Sequence, residues 1–198
     1  MNIYFNSVMP SSNRHRNLKM VNIGFDGAGK TSMYHTFAFK EFPTDYLPTC
    51  FQGYCHSFEI NGETISLAFW DTHCGENNEY LELLQLSYFD TDVFTICFDV
   101  SNLDVFPDMK KFWVDGQLRP LYRKVPIILV ATKIDLRGGD CETISRERGE
   151  RLAEEIGAAG YFEISSLKKE GLDDLFYHIC ISGVKYQKKR LKRKCLIL

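Results

Sequence analysis

Six short apolar runs alternate with segments of helical spacing along the 198 residues. The first, Leu18 to Ile23, gives way to a glycine-rich stretch and then to a helical pattern. Tyr54 to Ile60 and Thr64 to Trp70 flank Asn61-Gly62. That dipeptide suits a two-residue hairpin turn, because both turn positions need positive φ. Val93 to Val100 and Val125 to Ala131 are apolar at most positions, and Tyr161 to Ile164 is a short last run. Runs this apolar predict parallel strands covered on both faces. Ser145 to Ile156 is charged on one side and apolar at Leu152, Ala153 and Ile156, which predicts a surface helix. Leu172, Leu175, Phe176 and Ile179 recur at helical spacing and mark a final helix with a core face. The order predicts an α/β fold. Its sheet is doubly wound, mostly parallel and six-stranded, with one antiparallel edge strand and helices on both faces. Ligands of such sheets sit outside the carboxyl ends of the strands.

At one such end lies Gly24-Phe25-Asp26-Gly27-Ala28-Gly29-Lys30-Thr31, which fits the P-loop pattern G-x-x-x-x-G-K-[ST] and makes the expected fold that of a P-loop NTPase. The glycines let successive N–H groups turn toward one anion, and the helix that follows adds its positive end. Asp26, Gly27, Ala28, Gly29, Lys30, Thr31 and Ser32 are the expected phosphate contacts. Lys30 is expected at the β/γ-phosphates and the Thr31 hydroxyl on Mg²⁺. Asp71 ends the second hairpin strand, where a carboxylate can hold the Mg²⁺ through a water. Gly75 follows shortly and can offer an N–H to the γ-phosphate.

Thr132-Lys133-Ile134-Asp135 closes the fifth run. A carboxylate there accepts from guanine N1–H and N2–H₂, a donor pair that adenine lacks. The Lys133 stem can lie along the purine face. One strand later, Ser165, Ser166 and Leu167 bring backbone N–H groups within reach of the guanine O6. Asp135 with Lys133 opposes a P-loop ATPase or kinase, and so does the lack of a lid or substrate domain.

Charge divides the chain. Residues 185–194 hold seven basic residues and no acid, which leaves 17 basic against 26 acidic residues elsewhere. A basic tail on an acidic body predicts a surface that the tail alone touches. The chain then ends in Cys195-Leu196-Ile197-Leu198, a C-a-a-X box whose terminal Leu favours geranylgeranyl on Cys195. One lipid anchors weakly, and a basic run strengthens it on anionic lipid. Seven scattered cysteines, with no C-x-x-C pair and no signal-peptide core, favour a reduced cytosolic setting. The expected division is a disordered lead over 1–17, a nucleotide-binding domain over 18–184 and a polybasic, prenylated tail over 185–198.

From about Lys19 onward the chain resembles a Rho-family small GTPase of the Rho/Rac branch. Phe42-Pro43-Thr44-Asp45-Tyr46-Leu47-Pro48-Thr49 resembles the family's switch I. The resemblance implies that Phe42 packs on the guanine, Tyr46 lies over the phosphates and Thr49 ligates Mg²⁺ beside Thr31 and Asp71. Leu86 to Val93 is similar to the segment after switch II, and Thr132 is similar to the Rac branch, where most Ras relatives carry Asn. It also implies GTP/GDP and Mg²⁺ as ligands. The implied partners are effectors at switches I and II, exchange factors and a GDP-dissociation-inhibitor-like chaperone. No nucleic-acid partner is expected, and the default is a monomer. Actin and cell shape are the implied outputs, at the cytoplasmic face of the plasma membrane or an endomembrane, with a cytosolic pool.

Three departures matter. Asp26 stands where the family has the second glycine of its loop, and Phe25 where the Rho branch usually has Asp. Asp71-Thr72-His73-Cys74-Gly75-Glu76-Asn77-Asn78 departs from D-T-A-G-Q-E, with two extra residues and no Gln after Gly75. Glu76 takes that place, and an ionised Glu cannot donate a hydrogen bond. The segment from Asp135 to Glu163 is about ten residues shorter than is usual in the Rho branch, which predicts the loss of its insert helix. Asp26 and the absent Gln predict slow GTP hydrolysis. A GTP-loaded, non-hydrolysing binding module and a nucleotide-free lipid-anchored adaptor are the alternatives.

Overall fold

Alternation within the strands decides which helices cover which face of the sheet. The computed structural model describes residues 14–45, 52–73 and 81–195. Its elements are β1 (Arg14–Ile23), α1 (Lys30–Phe39), β2 (Gln52–Ile60), β3 (Glu63–Asp71), α2 (Leu81–Ser87) and β4 (Val93–Asp99). A π-helical stretch (Lys110–Leu118) runs into α3 (Arg119–Tyr122), followed by β5 (Ile127–Thr132), α4 (Arg146–Ile156), β6 (Gly160–Glu163) and α5 (Leu172–Cys195). The sheet order is β2-β3-β1-β4-β5-β6. β2 and β3 pair antiparallel at the edge, and the other neighbours are parallel. This is the fold of a P-loop GTPase.

Ile127, Leu129 and Ala131 of β5 join Phe94, Ile96 and Phe98 of β4 in one core, with Trp113, Leu118, Leu152 and Ile156 above them. The intervening residues Ile128 and Val130 face the other core, under Met33, Tyr34 and Phe37 of α1 and Leu175, Phe176 and Ile179 of α5. Both faces of β4 and β5 are therefore dry, which is why their sequences read as unbroken apolar runs. Asn61 and Gly62 both take positive φ, 53° and 75°, and close the β2–β3 hairpin. Residues 137–145 contain no helix, in keeping with the short segment there.

Two boundaries differ from the sequence reading. β1 begins at Arg14, so residues 14–17 belong to the sheet and not to a disordered lead. Their backbone pairs with β3 from Arg14↔Glu63 onward. Two of the side chains find partners on β3: Arg16 Nε lies 3.3 Å from a Glu63 carboxylate oxygen, and the His15 ring nitrogen 3.0 Å from Ser66 Oγ. α5 likewise continues past Val184 to Cys195, through the basic run. Gln187 donates to Asn17 O and to Asp92 Oδ2, and Arg190 donates to Asp90 Oδ1 at 2.7 Å. These contacts tie the helical extension to the body.

Candidate functional site

Glycine shapes the loop between β1 and α1. Gly24 has φ 146°, and a Cβ there would lie 2.3 Å from the Cys97 carbonyl oxygen of β4. Only a residue without a side chain lets the loop leave the sheet at that point. Gly27 and Gly29 both have φ 75°, and Gly29 caps α1 in the left-handed region. The N–H end of α1 therefore opens on the loop, where an anion is favoured. Lys30 is buried, and its ammonium donates to the carbonyls of Gly24 (2.8 Å) and Phe25 (3.0 Å). Its charge is held inside the loop. Ser32 sits half-buried in the first turn of α1.

Phe25 points the other way. Its ring packs on Phe112 and on Trp113, each at 5.4 Å between centroids. The departure at this position thus serves the packing of the π-helical stretch.

Thr31 Oγ1 donates to Asp71 Oδ2 at 2.6 Å. The other Asp71 oxygen is buried and meets no hydrogen-bond donor among the described residues. Burial pushes the Asp71 carboxyl above its usual range, and the Thr31 hydroxyl and Lys30 charge oppose that rise. A desolvated carboxylate with an orphaned oxygen beside a hydroxyl is a donor set that a hard divalent cation satisfies. Thr31 and Asp71 would hold Mg²⁺ here, which would neutralise charge between the β- and γ-phosphates.

The expected base end lies at the carboxyl ends of β5 and β6. Thr132 Oγ1 is bonded to the carbonyls of Ala28 (2.9 Å) and Phe98 (3.1 Å), so it pins the phosphate loop to the sheet. Lys133 adopts φ 58°, and its ammonium donates to Asp99 Oδ2 at 2.6 Å. Asp135 sits in a single 3₁₀ turn, Ile134–Leu136, and its Oδ1 accepts from the Ser165 hydroxyl at 2.5 Å. Ser165 therefore acts through its side chain as well as its position: it braces the carboxylate. Its own backbone N–H is taken by Glu170 O. Ser166 is buried beside it and Leu167 is exposed. Phe42 is 38% exposed on the segment after α1, with its ring open to solvent. Tyr46, Thr49, Gly75 and Glu76 lie outside the described residues, as does the Cys195 side chain.

Asp26 stands at the mouth of the loop, about one-third exposed, and its carboxylate lies 3.0 Å from His73 Nδ1. His73 follows β3 by two residues, so this pair joins the phosphate loop to the chain that leaves Asp71.

Sequence reasoning missed three contributors. Asp99 ends β4 and pairs in register with Thr132, so the strand-end rule pointed to it. Its carboxyl accepts from Lys133 and from the N–H and hydroxyl of Ser101. These bonds outweigh burial and hold it below the usual carboxylate range. Asn22 is fully buried under the loop and accepts from Thr95 (2.7 Å) and Cys97 (3.1 Å). Thr72 Oγ1 donates to the Asn22 carbonyl and locks the end of β3 against β1. Nothing in the pattern of residues 22 and 72 marked them, because each works through a contact distant in sequence.

Glycine nest, buried ammonium, hydroxyl–carboxylate pair and braced base-end carboxylate occur in one row along the strand ends. The model of the Ras family matches residues 19–184, from β1 to α5. The chain belongs to the Ras family of small GTP-binding switches, whose members bind GTP or GDP, typically with Mg²⁺, and act through effectors and regulators.

Proposed function

We propose that this chain is a Rho-type switch, anchored at the cytoplasmic face of the plasma membrane or an endomembrane, that hydrolyses GTP slowly. One observation carries the slow rate: the Asp26 carboxylate stands at the mouth of the phosphate loop. A second negative group beside the γ-phosphate opposes further charge there. The Rho-type reading rests on Phe42 to Thr49, Thr132 and the C-terminal Cys box. Effectors would read the Phe42–Thr49 segment and the chain after Asp71. Exchange factors and a dissociation-inhibitor-like chaperone would govern loading and the cytosolic pool. Actin and cell shape are the outputs that the resemblance implies.

The nucleotide on freshly purified protein, followed for hours with Mg²⁺, tests the slow rate. GTP should persist. Bound GDP would mean that hydrolysis survives Asp26, and failure to take up added GTP would leave only the adaptor. Competition by ATP should be weak.

Membrane contact is supported by how α5 sorts its charges. Lys185, Lys188, Lys189 and Lys192 are exposed at i, i+3, i+4 and i+7, which is one stripe, while Arg190 is turned toward Asp90. No helix among the described residues is long and apolar enough to cross a membrane. Surface lysines contribute about 1 kcal/mol each on anionic lipid. Changing all four to Gln should weaken binding of the unlipidated chain to phosphatidylserine vesicles, read by sedimentation, by up to about 1,000-fold. Equal binding to neutral phosphatidylcholine vesicles would remove the electrostatic basis.

A further inference from the structure

Carboxylate and polyphosphate are poor neighbours, yet Asp26 lies within the loop that must cradle the phosphates. Two like charges about 5 Å apart repel by roughly 3 kcal/mol even at an effective dielectric of 20. Something has to offset that repulsion if the loop is to keep its ligand. Among the described residues, His73 has the right reach. His73 Nδ1 approaches Asp26 Oδ1 to 3.0 Å from the chain just past β3. With the proton on Nδ1 the ring donates to the carboxylate. This ties the Asp26 side chain to the chain that leaves β3.

We propose that His73 is a positioning residue that holds the Asp26 carboxylate on a ring N–H donor, lessens its repulsion of the nucleotide's phosphates, and so allows this loop to bind GTP. His73 is well placed to stay put. Thr72, its neighbour, is buried and bonded to the Asn22 carbonyl, and Asp71 before it is locked to Thr31. The backbone that carries the imidazole is thereby clamped to β1 and α1. Lys30 does not serve the same purpose, because its ammonium is bonded to the carbonyls of Gly24 and Phe25. The two unusual residues, Asp26 and His73, form one unit: the second makes the first tolerable. This inference rests on the guanine-nucleotide reading of the site and adds to it a residue that acts through another.

A double-mutant cycle separates positioning from simple structural support. GTP affinity is measured on the full chain with Mg²⁺ for the parent, His73→Ala, Asp26→Gly and the double variant. His73→Ala should weaken GTP binding about 10-fold when Asp26 is present, and less than about 2-fold when residue 26 is Gly. His73→Gln, which keeps a neutral donor, should recover most of the loss. Thermal unfolding without nucleotide should move little across the four proteins, because the pair is partly exposed. An equal loss in both backgrounds would overturn the inference and make His73 an independent contact. So would no loss in the parent. If none of the four binds GTP while all fold, the guanine-nucleotide reading falls and the inference with it.

Discussion

Asp135→Asn is expected to lower GTP affinity at least 100-fold and to reverse the preference between guanine and xanthine nucleotides. The carboxylate would accept two hydrogen bonds from the guanine edge, and bonds to a charged group are worth about 1.5–3 kcal/mol each. Losing the charge and turning one acceptor into a donor costs roughly 3 kcal/mol or more, two decades in affinity. Xanthine carries a carbonyl where guanine has its amino group, so an Asn amide N–H₂ has a partner there. The geometry sharpens the expectation. Asp135 Oδ1 already accepts from Ser165, which fixes the plane of the group and leaves Oδ2 aimed elsewhere. Ser165→Ala should therefore share the direction of the effect at about one-tenth of its size, since it loosens the carboxylate without removing it. Competition of GTP, xanthosine triphosphate and ATP against a fluorescent guanine nucleotide measures all three. Unchanged GTP binding in Asp135→Asn would mean that another group reads the base.

The phosphate and base ends of this site were legible in the sequence for a physical reason. Each depends on residues that are close in sequence: the run from Gly24 to Thr31 builds its own nest, and Thr132 to Asp135 closes one strand. The sheet was legible because β4 and β5 are dry on both faces and say so residue by residue. Polar strand ends were not. Arg14 to Asn17 have no apolar alternation, and their place in β1 depends on pairing with β3 about fifty residues away. The extension of α5 was obscured in the same way: a basic run reads as a solvated tail until Asp90 and Asp92 are seen beside Arg190. The partner of Asp26 was equally hidden. The residue itself stood out as a misplaced carboxylate, but only the fold brings His73, 47 positions later, to it.

The loop mouth is where the second large effect is expected. Asp26→Gly should speed single-turnover GTP hydrolysis about 10-fold, and Asp26→Gly with Glu76→Gln further still. Only the part of the repulsion that grows on the way to the transition state affects the rate. Phosphoryl transfer moves charge toward the leaving oxygen and spreads the rest over the γ-oxygens, so a nearby carboxylate opposes part of the change. Of roughly 3 kcal/mol of Coulomb repulsion, about half being differential gives about one decade. A Gly at position 26 can adopt the backbone conformation of Asp26 without strain, which leaves the nest intact. Full recovery is not expected from this change alone, because an ionised Glu at 76 accepts but cannot donate, and so cannot hold the attacking water as a Gln amide does. The order of rates should be parent, Asp26→Gly, double variant. Equal rates in all three, with GTP bound in each, would place the barrier elsewhere than the loop mouth. A fall in rate on Asp26→Gly would show the carboxylate, held by His73, to be part of the catalytic apparatus itself.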